Sequence, residues 1–298
     1  MDAGATRVSA DRLHDVVRRL TGVPARRVVR NIVELDDGRQ LLAKRAAVPS
    51  TILAEVAGLC WLAQPATIAV PKIFGHDEQW LLLEYLPPAT PTREAAIRFG
   101  QGLAQLHAAG APAFGAPPPG GPTEAWIGRA PMRNAKGTDW PSWYAEHRVL
   151  PYMRTARDRG DLTNAEARTI ETACAAFPNA AGPAVLPARL HGDLWSGNVC
   201  WSAVPSDGST SAWLIDPAAH GGHPETDLAM LALFGCPYLD QVIVGYQQIS
   251  PLPHGWHARV GLHQLFPLLV HVVLFGRSYA PSAVTAARST LEAAERIP

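Results

Sequence analysis

Two carboxylates and one amide lie close together in the segment from His191 to Pro217. Asp193 and Asn198 share a loop of small residues, and Asp216 follows at the end of an apolar run. Transfer of a phosphoryl group to a hydroxyl needs a carboxylate that accepts the hydroxyl proton. It also needs hard oxygen ligands that hold Mg²⁺ against the phosphates. The spacing therefore predicts phosphoryl transfer, with Asp193 as general base and Asn198 and Asp216 as metal ligands.

The stretch between Asn198 and Asp216 has the pattern of a β-hairpin. Residues 198–202 and 211–215 are typical of strands, and the segment SDGS at 206–209 is typical of a turn. A hairpin would bring Asn198 and Asp216 to the same end, which a shared metal site requires. The alternative is that each of these polar residues only forms a turn. The order of loop, hairpin and second aspartate favours the catalytic interpretation.

Composition and charge limit the class of protein. The chain has 298 residues, of which 47% are hydrophobic, and it has 26 basic and 26 acidic residues. Balanced charge indicates neither a nucleic-acid nor a membrane partner. Four widely spaced cysteines are typical of free thiols in a reducing compartment. We see no signal peptide and no apolar run that approaches a membrane span, so we expect a cytoplasmic protein. Its oligomeric state is left unknown.

The order of the elements predicts an α+β fold with two lobes. Strands are predicted over 28–35, 39–45 and 79–86, with a helix over 51–64 that Ser50 caps. Residues 110–138 are rich in Pro and Gly and predict an irregular insertion. Helices are predicted at about 92–109, from 140, from 164 to before Pro178, and at 226–235, 239–249, 255–276 and 282–295. We therefore expect a small β-rich lobe over 1–87 and a larger helical lobe over 88–298, with the active site between them.

The catalytic loop carries a longer motif, HGDLWSGN at 191–198. Further segments are IDPA at 215–218, GHPETDLAM at 222–230 and YAEHR at 144–148. Together they resemble the fructosamine kinase family, relatives of the aminoglycoside phosphotransferases with a protein-kinase-like fold. The resemblance implies an ATP- and Mg²⁺-dependent kinase for a sugar hydroxyl, the 3-OH in this family, of a small-molecule ketoamine or a glycated lysine. Breakdown of the phosphorylated adduct then frees the amine, which makes the activity a deglycation repair.

The resemblance also implies residues at the nucleotide end of the site. Lys44, in a predicted strand, would face the α- and β-phosphates, and Glu55 in the next helix would pair with it. The alternative is that both are solvated surface charges. Glu84 and Leu86 would belong to the hinge between the lobes, where backbone groups bind the adenine edge.

The acceptor end of the site is expected to contain aromatic and histidine side chains. Trp195 is expected to stack on the sugar, although a tryptophan that braces the loop would show the same pattern. His271 interrupts a very apolar helix, where a polar group needs a partner. The family carries a histidine near this point, so His271 is either an acceptor-site residue or a core histidine. Trp126 and Trp140 are expected to be packing residues, and Asp227 to support the loop backbone.

The phosphate-binding turn is where the chain departs from the family. Relatives have a glycine-containing turn before the lysine strand, which lets backbone amides approach the phosphates. Here residues 26–34 (RRVVRNIVE) contain no glycine. Either Arg26, Arg27 or Arg30 covers the phosphates, or the affinity for ATP is weakened.

Two alternatives to a ketoamine kinase stay open. One is a kinase for an aminoglycoside or another amino sugar, against which the Trp195-Ser196 pair argues. The other is a pseudokinase that binds a nucleotide without turnover. The intact set of Asp193, Asn198 and Asp216 argues against the second alternative.

Overall fold

The computed structural model describes residues 3–46, 48, 50–204 and 208–296, with side chains from residue 12 onward. Its N-terminal part is a five-stranded sheet in the order β1-β2-β3-β5-β4, with all neighbours antiparallel. The elements of this part are α1 (Ala3–Thr21), β1 (Ala25–Val29), β2 (Ile32–Leu35), β3 (Gln40–Arg45), α2 (Ser50–Ala63), β4 (Ile73–His76) and β5 (Trp80–Glu84).

Helices cover both faces of this sheet, which explains the apolar run in β5. Leu82 is buried in a cluster with Val17 of α1. Its neighbours Leu81 and Leu83 are buried in another cluster with Ile52 of α2. Successive side chains of a strand point to opposite faces, so three consecutive leucines require a sheet that is buried on both sides.

The rest of the chain is mainly helical. Its helices are α3 (Arg93–Ala108), α4 (Trp140–Tyr144), α5 (Leu150–Asp158), α6 (Asn164–Ala180), α7 (Pro224–Leu233), α8 (Leu239–Ile249), α9 (Trp256–Phe275) and α10 (Ala280–Arg296). Three two-stranded sheets interrupt the helices: β6 (Glu124–Ile127) with β7 (Ala130–Arg133), β8 (Ala188–Leu190) with β11 (His220–Gly222), and β9 (Val199–Ala203) with β10 (Thr210–Leu214). This is the predicted arrangement of a small β-rich lobe and a larger helical lobe.

Helix α9 is long and apolar enough to cross a membrane, by length and composition alone. Its mean hydropathy is 1.5, so the expectation that no apolar run approaches a span is wrong. However, 56% of its 18-residue apolar window is buried inside the protein, and the helix contacts α5, α7 and α10. A helix that is apolar on nearly all sides is typical of the core of a protein of this size.

Two of the predicted helix caps and the predicted hairpin are present. Thr163 Oγ1 accepts the amide of Glu166 at 3.2 Å, while the Glu166 carboxylate accepts the amide of Thr163 at 2.7 Å, completing a capping box. Thr92 Oγ1 caps α3 by accepting the amide of Ala95 at 3.2 Å. Strands β9 and β10 pair as predicted. Of the turn between them, residues 206 and 207 lie outside the described residues.

Two predicted element boundaries are wrong. The strand predicted over 28–35 is broken by a turn at Arg30 and Asn31, where Arg30 has φ +58°. The helix predicted to end before Pro178 continues to Ala180. The buried side chains of Phe177 and Ala180 lie on either side of this proline, so tertiary packing outweighs the loss of one backbone donor in the last turn.

The predicted irregular insertion at 110–138 contains the β6–β7 hairpin. Alternate residues of the hairpin, including Ile127 and Ala130, are buried, so it is anchored to the core rather than irregular. The side chain of Trp126 points the other way, and its Nε1 donates to Ser50 Oγ at 3.0 Å. Ser50 is the first residue of α2, so it is not the residue before the helix that a cap requires.

Candidate active site

The buried carboxylate of Asp227 fixes the start of the catalytic loop. It accepts the amides of His191 at 2.8 Å and Gly192 at 3.0 Å, and the imidazole of His107 at 3.2 Å. Burial alone would raise the pKa of Asp227, but the His107 imidazole and the backbone donor outweigh it and lower this pKa. Gly192 has φ +81°, and a Cβ there would lie 2.2 Å from Ala218 O. The loop therefore needs glycine at this point.

The buried His191 ring joins the catalytic loop to the segment that carries the second aspartate. Its Nε2 donates to Ile215 O at 2.8 Å, and its Nδ1 accepts the amide of Asp193 at 3.3 Å. Burial lowers the pKa of His191, which keeps the ring neutral and its two nitrogens in these different roles. His191 supports the backbone on both sides of the site.

Asn198 orients the carboxylate of Asp193. The Asn198 Nδ2 donates to Asp193 O at 2.8 Å and to Asp193 Oδ2 at 3.1 Å. Burial raises the pKa of Asp193 to about 7, although the hydrogen bond from Asn198 opposes this shift. Because the amide nitrogen is used in these bonds, the amide oxygen of Asn198 is left as a hard oxygen donor.

The β9–β10 hairpin brings Asn198 and Asp216 together, as the sequence predicts. Val199 pairs with Leu214, and the Ile215 amide donates to Asn198 O at 3.1 Å. Asp216 follows with φ +54°. Few residues other than glycine adopt the left-handed region, so the backbone here is held by its surroundings.

Lys44 lies between two carboxylates. Its Nζ is 2.7 Å from Glu55 Oε1 and 2.6 Å from Asp216 Oδ1. Burial lowers the pKa of Lys44, but the two carboxylates outweigh it and raise this pKa, so the side chain is an ammonium at neutral pH. The predicted pair of Lys44 and Glu55 therefore extends to the aspartate of the other lobe.

The predicted hinge residues lie apart from these groups. Glu84 is the last residue of β5, where its amide donates to Lys72 O at 2.8 Å and its side chain accepts the Lys72 amide at 3.2 Å. The backbone of Leu86 makes no hydrogen bond to the described part of the chain. Glu84 and Leu86 do not line the cavity that holds the other predicted residues.

The turn between β1 and β2 lies beside the strand of Lys44. Asn31 O accepts the amide of Ala43, the residue that precedes Lys44. Arg26 pairs with Glu34 at 3.5 Å on the neighbouring strand. Arg30 is exposed, and it makes no ion pair with any side chain that the structure describes.

A cavity of about 410 Å³ joins the catalytic groups to an aromatic wall. Its polar lining includes Lys44, Glu55, Asp193, Asn198 and Asp216, all of which the sequence singles out. Its other lining residues include Ile52, Trp126, Arg129, Trp195, Val270, His271, Leu274 and Phe275. Helices α2 and α9, the catalytic loop and the β6–β7 hairpin therefore enclose one space.

Trp195 packs on the catalytic loop and also lines the cavity. A Cβ built on Gly197 would lie 2.1 Å from the Trp195 ring, so the ring packs directly over the turn that carries Asn198. The side chain is nevertheless 39% exposed. It lines the cavity, and its ring meets that of Phe234 edge to face, with 6.4 Å between the ring centroids. Trp195 braces the loop with one part of its surface and presents another to the cavity.

His271 lies in an aromatic cluster at the cavity wall. Its Nδ1 donates to Pro267 O at 2.8 Å. Its ring centroid is 4.7 Å from Phe234, 5.0 Å from Tyr279 and 5.3 Å from Phe275. Burial lowers the pKa of His271, so the ring is neutral, and its Nε2 makes no hydrogen bond to the described residues. A neutral ring with one free acceptor nitrogen suits a hydroxyl donor.

The two tryptophans of the insertion differ in their surroundings. Trp140 is buried and stacks on Tyr144 and His263, each with centroids 4.8 Å apart, so it is a packing residue as expected. Trp126 lines the cavity. Sequence reasoning treated it as packing and did not single out Phe275 or Arg129, which also line the cavity. Phe275 ends α9 and Arg129 lies in a turn, and their residue types alone carry no signal of a shared cavity.

Comparison with known sequences gives one consistent family. The family described as fructosamine kinase matches residues 33–293. A probable ketoamine kinase from Klebsiella aerogenes is 32% identical over 248 residues, which cover 80% of each chain. A chloroplastic protein-ribulosamine 3-kinase from Arabidopsis thaliana is 29% identical over 251 residues, which cover 81% of this chain and 72% of that protein.

A solved structure agrees with these relatives. The crystal structure of a candidate fructosamine-3-kinase from Thermobifida fusca is 44% identical to this chain. It superposes with a TM-score of 0.85, covering 94% of this chain and 98% of that one. The agreement extends over the sheet, the helices and the catalytic loop, so it concerns the whole fold.

Proposed function

Because this chain belongs to the fructosamine kinase family, we propose that it transfers the γ-phosphoryl group of ATP to a sugar hydroxyl of a ketoamine. The chain is a small-molecule kinase with a phosphotransferase fold. One observation carries the proposal for its site. Asp193, Asn198 and Asp216 meet in one cavity with an aromatic wall, and the ammonium of Lys44 lies beside them.

Asp193 is the proposed general base. The acceptor hydroxyl gives its proton to the Asp193 carboxylate as its oxygen bonds to the γ-phosphorus, and the bond from that phosphorus to the bridging oxygen of ADP breaks. The raised pKa of Asp193 makes this carboxylate a better proton acceptor than an exposed one. Asn198, through its bond to Asp193 Oδ2, holds the carboxylate in one orientation.

Asn198 and Asp216 are the proposed ligands of Mg²⁺. The donor set fits this ion, since both offer hard oxygens and the Asn198 nitrogen is already engaged with Asp193. Asp216 uses Oδ1 toward Lys44, which leaves Oδ2. Bound there, Mg²⁺ would supply charge neutralisation for the phosphates.

The nucleotide is proposed to lie between the lobes, which we divide after residue 87. Lys44 would neutralise phosphate charge, and Glu55 would hold Lys44 in place. The backbone at Glu84 and Leu86 would bind the adenine edge. Arg30, in the turn that replaces the glycine turn, would cover the phosphates, because its guanidinium is not paired with a described carboxylate.

The ketoamine sugar is proposed to lie between Asp193 and the aromatic wall. Trp195 would stack on the sugar, and His271 would accept a hydroxyl through Nε2. The names of the relatives refer to ketoamines, to ribulosamine on protein and to fructosamine. Since ATP is the cosubstrate, we place the reaction in the cytoplasm.

The test is ADP release with Mg-ATP and four separate conditions: ribulosyl-lysine, fructosyl-lysine, an aminoglycoside and no acceptor. Turnover confined to the two ketoamines is the expected result, and their ratio names the preferred sugar. Turnover with the aminoglycoside alone would overturn the substrate class. A urea denaturation curve would first show that the protein is folded. If this folded protein releases no ADP in any of the four conditions, the result would favour a pseudokinase and overturn the assignment of catalysis.

A further inference from the structure

The tip of the β6–β7 hairpin brings a cation to the acceptor side of the cavity. Gly128 and Arg129 form the turn, and Arg129 lines the cavity together with His271, Phe275 and Asp193. Gly128 has φ +56°, and a Cβ there would lie 3.6 Å from Leu274 Cδ1. The turn therefore touches α9, the same helix that presents the acceptor histidine.

The hairpin holds this turn firmly. Tyr152 Oη donates to Pro131 O at 2.6 Å, and Arg148 Nη1 donates to Arg133 O at 2.8 Å. On the other strand, Trp126 is bonded to Ser50 of α2. A cation on such an anchored turn has a defined place over the cavity, and it loses less conformational freedom on binding than one on a mobile loop.

The charges of the cavity are divided between its two ends. The lining carboxylates are Glu55, Asp193 and Asp216, all in the catalytic cluster around Lys44. Arg129 makes no ion pair or hydrogen bond with any residue that the structure describes. Arg45, the other lining arginine, has its guanidinium 5.9 Å from the centroid of the Trp80 ring. Both arginines are exposed, and neither pairs with a carboxylate among the side chains that the structure describes.

We propose that Arg129 binds a carboxylate of the acceptor, so that the preferred substrates are ketoamines of free α-amino acids. This inference rests on the proposed function. In such an adduct the carboxylate is on the carbon next to the amine nitrogen. An adduct on the side chain of a protein lysine has no carboxylate near its nitrogen. A guanidinium can bind a carboxylate through two parallel hydrogen bonds, which selects this group over an amide.

The experiment uses two ketoamines that differ only in this group, ribulosyl-glycine and ribulosyl-glycinamide. We expect kcat/KM of the wild-type protein to be about 10- to 100-fold higher for the glycine adduct, mainly through KM. Arg129→Gln removes the cation and should bring this ratio close to one by raising KM for the glycine adduct alone. Arg133→Gln is the matched control. Its guanidinium pairs with Glu124 on the exposed side of the same hairpin, and it should keep the wild-type ratio.

Several outcomes would overturn the inference. Equal kcat/KM for both ketoamines with the wild-type protein would remove the carboxylate preference. A preference that survives in Arg129→Gln but disappears in Arg45→Gln would assign it to the other arginine. A rise in KM for ATP in Arg129→Gln would mean that this residue serves the phosphates. Absence of turnover with both ketoamines would instead contradict the proposed function itself.

Discussion

Lys44 and Asp216 form an ion pair, with 2.6 Å between Nζ and Oδ1, although 172 residues separate them in the chain. The same ammonium contacts Glu55. One cation thus holds two carboxylates near each other, and one of these is a proposed metal ligand. Lys44 therefore stabilises the folded protein, in addition to its proposed contact with the phosphates of the nucleotide.

The first prediction concerns the removal of this cation. Lys44→Met leaves the carboxylates of Glu55 and Asp216 close together without a partner, which should cost about 1–3 kcal/mol in the free energy of unfolding. Mg²⁺ should restore part of this loss, so MgCl₂ should stabilise the variant more than the wild type. Urea denaturation with and without MgCl₂ measures both effects. Lys72→Met is the control, since Lys72 is exposed and lies over the ring of Phe74. If MgCl₂ raises the free energy of unfolding equally in Lys44→Met and in the wild type, the result would contradict a Mg²⁺ site next to the position of the Lys44 ammonium.

The second prediction concerns the general base. Asp193→Asn keeps the shape of the side chain and an acceptor for Asn198 Nδ2, so the free energy of unfolding should change little. Turnover should fall by about 10²- to 10⁴-fold, because the variant cannot accept the hydroxyl proton. Steady-state ADP release measures this loss, and Asp158→Asn, an exposed aspartate outside the site, gives the matched control. Near-normal turnover would remove Asp193 from the role of base.

The third prediction concerns Asp227, the support of the loop. Asp227→Ala leaves two backbone amides and His107 without their acceptor in a buried place. We expect a loss of about 3 kcal/mol or more in the free energy of unfolding. Asp227→Asn keeps one acceptor oxygen and should lose less. Urea denaturation of both variants provides the test, and a loss below about 1 kcal/mol for the alanine variant would contradict the supporting role.

The residues of the catalytic loop could be predicted from the sequence because their contacts are local. Asp193 and Asn198 lie in one loop, and a hairpin with a simple register brings Asp216 to them. The helix at 239–249 and the capping box at Thr163 also follow from local chemistry. These features depend on residues close in sequence, which is where pattern reasoning is strongest.

The missed features depend on contacts between distant segments. Pro178 stays inside α6 because Phe177 and Ala180 are buried on either side of it. Trp126 and Arg129 reach the cavity only because the hairpin lies between α2 and α9. The sequence of the insertion contains alternating buried residues, but its prolines and glycines obscure that pattern.

The fourth prediction concerns the turn that replaces the glycine turn. Arg30 has φ +58°, a conformation that costs a non-glycine residue about 1–2 kcal/mol. Arg30→Gly relieves this strain while making the unfolded chain more flexible, so the free energy of unfolding should stay within about 1 kcal/mol of wild type. If the guanidinium covers the phosphates, KM for ATP should rise by about 10- to 100-fold.

Arg26→Gly is the control for this prediction. The guanidinium of Arg26 pairs with Glu34, away from the turn, so its removal should leave KM for ATP near the wild-type value. An unchanged KM for ATP in Arg30→Gly would show that Arg30 does not cover the phosphates. KM for ATP is measured at a saturating concentration of the acceptor. A raised value in Arg30→Gly supports a contact of Arg30 with the phosphates, and an unchanged value contradicts it.

The last prediction concerns stability below neutral pH. Burial is the main cause that lowers the pKa of each histidine in a buried set around the catalytic loop: His191, His220, His223 and His263. For His220 the folded-state pKa is about 3, against 6.5 for an ordinary histidine. Between these values the unfolded chain binds a proton that the folded protein excludes. The free energy of unfolding should therefore fall as the pH falls below 6.5, with His220 alone contributing about 1.4 kcal/mol per pH unit.

Substitution of His220 isolates the contribution of one proton. His220→Gln removes the titrating group but keeps a side-chain donor for Ala218 O, which His220 Nδ1 contacts at 2.8 Å. The slope of unfolding free energy against pH from 6.5 to 5 should become shallower by about 1.4 kcal/mol per pH unit. His76→Gln, at an exposed position of β4, is the control substitution. Asp193, with its pKa of about 7, opposes the trend in all three proteins, so it cancels in the comparison. A slope that is equal in wild type and His220→Gln would mean that this histidine is protonated in the folded protein.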